Sequence, residues 1–168
     1  VELVASNVNQ TNISAYKDNF ILWTNNSAQT IQYLNTETNK VSTLFVPKAK
    51  IKNLKVCGEK LVYIQGTSSV YSHDVDSGAK KLLYTGTSVE AAVLSGDSLY
   101  VAKALVGLTD SSFVRVNTRT KETVPLLKRG FSSCTLCLDS SSPSNHIFGI
   151  VLHDENNAKS SDVFDYDP

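Results

Sequence analysis

The chain has 168 residues, 41% of them hydrophobic, and its 16 Lys and Arg balance 16 Asp and Glu to zero net charge. That balance leaves no basic footprint for nucleic acid and no polybasic patch for a membrane surface. No apolar run approaches the roughly 18 residues of a membrane-spanning helix, and a chain of this length holds one domain with a sizeable core, so a soluble globular domain is expected.

The elements read as short strands from end to end. Val1-Glu2-Leu3-Val4 is a strand-like run at 1–5. A first unit, about 13–50, predicts strands at 13–16, 20–23, 31–34 and 41–45. The second, 51–88, predicts strands at 51–56, 61–64, 70–75 and 82–84, with turns at Gly58-Glu59, Gly66-Thr67-Ser68 and Asp76-Ser77-Gly78. A third, 89–132, predicts 89–94, 99–101, 113–116 and 124–127, with a Gly96-Asp97 turn. The last, 133–168, predicts only three strands, at 134–138, 147–152 and 163–166. Period-two alternation with Gly, Asn, Asp and Ser punctuation argues for strands, and no segment carries a sustained helical stripe.

A turn pattern recurs through these units: Leu34-Asn35-Thr36, Val75-Asp76-Ser77, Val116-Asn117-Thr118 and Tyr166-Asp167-Pro168. The Asn and Asp positions are 41, 41 and 50 residues apart, a recurrence that marks a repeat architecture. Asn and Asp accept backbone hydrogen bonds at turns, so the column reads as a folding signal. Val1-Glu2-Leu3-Val4 resembles Val124-Pro125-Leu126-Leu127 and would supply the fourth strand that the last unit lacks, protecting the sheet edges by closing the ring.

In repeat length and strand plan the chain resembles the β-propeller superfamily, WD-repeat proteins among them. The Gly-His and Trp-Asp signatures are missing, since Trp23 is the single Trp and Thr24 follows it. The resemblance implies an all-β fold of about four four-stranded blades, or part of a larger propeller, with the N-terminal strand closing the last blade. Four blades is the low end of the propeller range. The chain can therefore be a small ring, half of an eight-bladed ring completed by a second copy, or a piece of a longer propeller. The absence of Met, with no signal-peptide pattern at the start, favours a processed product or a piece. A β-sandwich is the competing all-β reading, and the internal self-similarity favours the propeller.

Chemistry-bearing motifs are sparse. Cys57, Cys134 and Cys137 are an odd number that fits no disulfide framework, so an intracellular compartment, cytoplasmic or nuclear, is expected over a secreted one. Sequons at Asn9, Asn12 and Asn25 are no more than an Asn- and Ser-rich chain yields by chance. Cys134-Thr135-Leu136-Cys137 has knuckle spacing, but metal use would need a second pair or a nearby His; core cysteines are expected. His146, His153, Asp154 and Glu155 could bind a cation or move protons, yet the stretch to Ser161 reads as a solvated loop, and His73 as a packing residue. There is no G-x-S-x-G elbow, no phosphate loop and no zinc-protease pair. Hence no catalytic residue, cofactor or metal is expected.

The most suggestive segment is the connection 103–110, which carries Lys103 and the apolar Leu105, Val106 and Leu108. In a propeller it would emerge at the same end as the inter-unit links, which hold Lys48, Lys50, Lys128 and Arg129. Apolar anchors ringed by cations suit a protein or peptide contact, although the three apolar residues could equally cap a central channel. The expected function is a non-catalytic protein-interaction module, with Leu105, Val106, Leu108, Lys48, Lys50, Lys103 and Arg129 at the contact. The alternatives are an architectural blade donor or self-dimerising segment, and a propeller hydrolase or lyase with a central site.

Overall fold

The computed structural model describes residues 14–17, 19–23, 30–104, 113–127, 133–138, 146–155 and 158–167. The expected strand at 1–5, and with it the closure of the last blade, lies outside them. Among the described residues the fold is all β. The first sheet contains β1 (Ser14–Tyr16), β2 (Asn19–Trp23), β3 (Ile31–Asn35) and β4 (Lys40–Phe45). The second contains β5 (Ile51–Cys57), β6 (Lys60–Gln65), β7 (Ser69–Asp74) and β8 (Lys80–Thr85). β9 (Val89–Ser95), β10 (Ser98–Lys103), β11 (Phe113–Asn117) and β12 (Thr123–Leu127) form the third, and β13 (Ser133–Leu138), β14 (Ile147–Glu155) and β15 (Ala158–Tyr166) the fourth. Within every sheet the strands neighbour each other in chain order, the meander expected of a propeller blade.

The chain divides into two compact units, one of Val1–Gly66 with Tyr71–Lys81, the other of Thr67–Val70 with Leu82–Pro168. In the first unit β1 lies against β5, and a core of Tyr16, Ile21 and Ile31 from one sheet meets Ile51, Leu54, Leu61 and Tyr63 from the next. In the second unit β13 lies against β9 and β10, and Ala91, Val93, Tyr100, Ala102 and Phe113 pack with Leu136 and Ile147. Each large apolar side chain so buried contributes about 1.5–3 kcal/mol. The leading strands of successive sheets are thus neighbours, and the trailing strands are the exposed edges. Those edges carry Lys40, Lys80 and Lys81, and Pro125, devices that block edge-to-edge pairing.

Turn chemistry repeats with the sheets. The first hairpin of each of the first three sheets has a positive-φ residue: Lys17 (53°), Gly58 (61°) and Gly96 (54°). Glycine takes that conformation without penalty; Lys17 is the one departure, and sequence reading did not mark it as a turn. The third hairpin is built on an Asx cap. Asn35 Oδ1 accepts from the Thr38 N–H at 2.8 Å and its hydroxyl at 2.9 Å. Asn117 Oδ1 accepts the N–H groups of Arg119 and Thr120, both at 2.9 Å.

In the second sheet the capping residue is Asp74, not Asp76. Its Oδ1 accepts from the Ser77 N–H at 2.8 Å and the Ser77 hydroxyl at 2.6 Å. The true column is Asn35, Asp74, Asn117, each closing its third strand, with a positive-φ residue four later: Asn39, Gly78 and Lys121. Asp76 instead makes an exposed ion pair with Lys17 at 2.9 Å. Asp167 follows β15, which is itself a third strand.

The fourth sheet departs from expectation more visibly. The stretch from His153 to Ser161, expected as a loop, continues β14 and β15 in register, with His153 opposite Ser160, Asp154 opposite Lys159 and Glu155 opposite Ala158. Pairing along a strand needs no apolar alternation where neither face is covered, so the period-two signal was lost there while the ladder went on.

The Asx caps yield a direct test. Asn117→Ala removes the acceptor of two backbone N–H groups and should lower unfolding free energy by about 1 kcal/mol. In thermal melts Asp74→Ala should lower the midpoint clearly more than Asp76→Ala, whose exposed ion pair contributes little. Equal effects of the two Asp variants would contradict the reassigned column.

Candidate functional site

The inter-sheet link ends of the two units carry the residues marked by sequence. In the first unit the Gly66 N–H donates to the Lys50 carbonyl at 2.8 Å, so the link between β4 and β5 sits beside the turn between β6 and β7. In the second unit Gly86 N–H donates to Ser68 C=O at 2.9 Å and Ala104 N–H to Ser88 C=O at 2.8 Å. The link between β8 and β9 therefore lies beside the chain leaving β10. This is the clustering of links with second-to-third-strand connections that the repeat implied. Lys48 and Lys50 are exposed. Lys103 is the half-buried last residue of β10 rather than part of a loop. Leu105, Val106, Leu108 and Arg129 lie outside the described residues.

Beside Lys48 the structure places a group that sequence reading missed. Lys80 begins β8 and extends along the aromatic face of the second sheet, its ammonium 3.9 Å from the centroid of Tyr71 and 5.6 Å from that of Tyr63. It ends as a donor to Gln65 Oε1 at 3.0 Å. Burial, and then the charge of Lys48, hold the Lys80 amine below its ordinary pKa. The long stem thus covers apolar rings while its head reaches polar surroundings, and three cations, Lys48, Lys50 and Lys80, serve one end of the unit. Tyr63 and Tyr71, a cross-strand aromatic pair with centroids 5.9 Å apart, were the readable signal, since an aromatic pair on a half-buried face invites a cation.

Inward from this patch, Phe45 stacks on His73 with centroids 4.3 Å apart. His73 is 6% exposed, the packing role expected of it, and its Nδ1 is buried without a hydrogen-bond partner. Burial and then the Lys80 charge depress its pKa, with Asp74 opposing.

Two other clusters are smaller. At the hairpin end of the first unit, Tyr16, Tyr33, Leu44 and Val75 line a cleft of about 330 Å³, and the Lys17–Asp76 ion pair lies at its rim. In the fourth sheet His146 Nδ1 lies 2.9 Å from Asp165 Oδ1, and its Nε2 lies 3.8 Å from Asp167. The side chains of His153, Asp154 and Glu155 lie outside the described residues.

The cysteines do not act together. Cys57 is buried, whereas Cys137 is exposed, so the expected core placement fails for Cys137. Positions three apart in one strand lie on opposite faces, and Leu136 takes the buried side. Among the described residues no cluster of three potential metal ligands forms.

No family model matches the chain, and no curated protein matches it in sequence. Solved structures do match in fold. TolB from Acinetobacter baumannii aligns at a TM-score of 0.65 and 14% identity, over 89% of this chain and 38% of that one. The S. cerevisiae structure of Dbp5 bound to Nup159 and Gle1 aligns at 0.56 and 12% identity, over 90% and 46%. The fold is that of β-propeller proteins. The computationally designed Ika4 aligns at 0.57 and 12% identity, over 90% of this chain and 88% of Ika4. The chain thus spans less than half the length of the first two propeller chains. Hydrazine synthase of Kuenenia stuttgartiensis is also among the matches, at 0.58 and 19% identity, so sharing the propeller fold does not separate scaffold from enzyme.

Protonation of His73 gives a measurable consequence. Its folded pKa lies below the ordinary 6.5, so as pH falls the unfolded chain takes up the proton first. Its contribution to stability is complete above about pH 6.5 and is lost as pH falls through the lowered folded value. Denaturant melts of the wild type and of His73→Phe, which keeps a ring against Phe45, should differ in pH slope below 6.5. Identical slopes would show that His73 is not buried neutral.

Proposed function

We propose that this propeller is a non-catalytic protein-interaction module whose link end binds an acidic protein or peptide segment. The observation that carries the reading is the grouping of Lys48 and Lys50 with the Lys80 ammonium, held over Tyr71 and Tyr63. Three cations at one end of the unit favour carboxylates, and an ammonium already fixed over aromatic rings loses little further freedom on binding. The match to an assembly of Dbp5 with Nup159 and Gle1 supports a protein partner for a propeller of this kind. Leu105, Val106 and Leu108 supply the apolar anchors, and Lys103 and Arg129 extend the cationic rim.

The reading is tested with a fluorescent deca-glutamate peptide, by anisotropy at low and physiological salt. Wild type should bind, and Lys48→Glu with Lys50→Glu should weaken binding by about tenfold or more, with salt reducing affinity as exposed charges are screened. Failure of the wild type to bind, or indifference to the charge reversal, would remove the acidic partner. Leu105→Asp should abolish binding of the natural partner while the melting transition stays cooperative. Loss of the transition would instead assign Leu105 to a channel cap.

A further inference from the structure

The four sheets are not equally covered. In the second sheet Leu61, Val62, Tyr63 and Ile64 are all 0% exposed, so both faces of β6 are buried. In the third, Leu99, Val101 and Ala102 are 0% exposed and Tyr100 is 1%, so the same holds for β10. The fourth sheet has one buried face, marked by Leu136 and Ile147, both 0% exposed. Its other face carries two cross-strand rows: Thr135, Ile150 and Val163, and Cys137, Phe148 and Asp165. Ile150 is 50% exposed, Val163 74% and Phe148 38%, and Cys137 is exposed. A solvated face of an antiparallel sheet alternates to polar residues; this one does not.

The first sheet has a matching face. Ala15 pairs with Phe20, Phe20 with Leu34 and Leu34 with Val41, so one apolar row crosses all four strands. Ala15 is exposed, Phe20 is 38% exposed, and Leu34 and Val41 are half-buried. Its opposite face is the covered one, contributing Tyr16, Ile21 and Ile31 to the core.

We propose that these two faces dock on each other between two copies of the chain, the fourth sheet of one packing on the first sheet of its partner, with the same contact repeated about a two-fold axis. The contact is of the kind that each unit already uses internally, sheet face on sheet face with aliphatic and aromatic side chains between. A face of three or four strands, each five or six residues long, presents roughly 300 Å². Four such faces bring a closed pair to roughly 1,200 Å², within the range of specific interfaces. A head-to-tail contact that closes makes a finite assembly, while one that does not close runs on into a chain of copies. The inference uses sheet faces remote from the lysine patch and stands without the proposed function.

Light scattering of the purified 168-residue chain from about 1 to 100 µM decides it. The expected result is a species of about 37 kDa, twice 18.3 kDa, at all but the lowest concentrations. Val163→Asp, at a site too exposed to disturb the folded monomer, should shift the mass to 18.3 kDa with an unchanged circular dichroism spectrum. Phe20→Asp on the other face should do the same, and Glu122→Gln, an exposed turn substitution, should leave the dimer intact. A wild type that stays monomeric overturns the proposal and leaves the faces to a different protein. A ladder of larger species overturns the closed pair. A dimer that survives both Val163→Asp and Phe20→Asp overturns the surface assignment.

Discussion

A β-sheet has two faces, and an apolar face is stable only under another layer. That requirement organises the whole chain. Sheets formed by local meanders are cheap to nucleate, because every pairing within them joins neighbours in sequence. None of them is stable alone. Tyr16, Ile21 and Ile31 need Ile51, Leu54 and Leu61 across from them, as Ala91, Val93 and Tyr100 need Leu136 and Ile147. The contact between leading strands, β1 with β5 and β13 with β9, sets the axis about which sheets of this family are arranged. It leaves the trailing strands as edges, where Lys40, Lys80, Lys81 and Pro125 keep other chains from adding on.

The same layering explains where polar chemistry gathers. Connections at one end bring Lys50 beside Gly66 and Ser88 beside Ala104, so residues from separate sequence segments converge without any dedicated motif. Turns at the opposite end are closed by Asn35, Asp74 and Asn117, each side chain spent on its own backbone. Those groups are structural because their oxygens are already occupied. The lysines at the link end are different: the Lys48 charge helps to depress Lys80, so the cations there crowd one another, and an incoming anion relieves that crowding.

Much of this architecture was legible in the sequence. Strands at 51–56, 61–64 and 89–94 were readable because alternation is strong where one or both faces are buried. The Gly58 and Gly96 turns were readable because only glycine takes positive φ without cost. Lys17 escaped notice because its side chain gives no hint of the backbone it occupies. The 41-residue spacing pointed to Asp76 because it counted residues, whereas the turn selects for the residue that can reach an N–H three positions on, which is Asp74. The extension of β14 and β15 through His153 and Ser160 was hidden by polar side chains on a ladder that only backbone pairing defines. Of the candidate site, Lys48 and Lys50 were found from position alone. Lys80 was missed because its ammonium works far from its own Cα, along rings contributed by two other strands.

The central claim is that stability comes from sheets covered on their faces and decreases outward along each sheet. Amide hydrogen exchange resolved by strand tests it most directly, since protection reports the free energy of opening each segment. The account predicts that β6 and β10, buried on both faces, exchange only through global unfolding, while the trailing strands β4 and β12 exchange through local opening at least tenfold faster. Equal protection of β4, β6, β10 and β12, or protection greatest in the trailing strands, would contradict it.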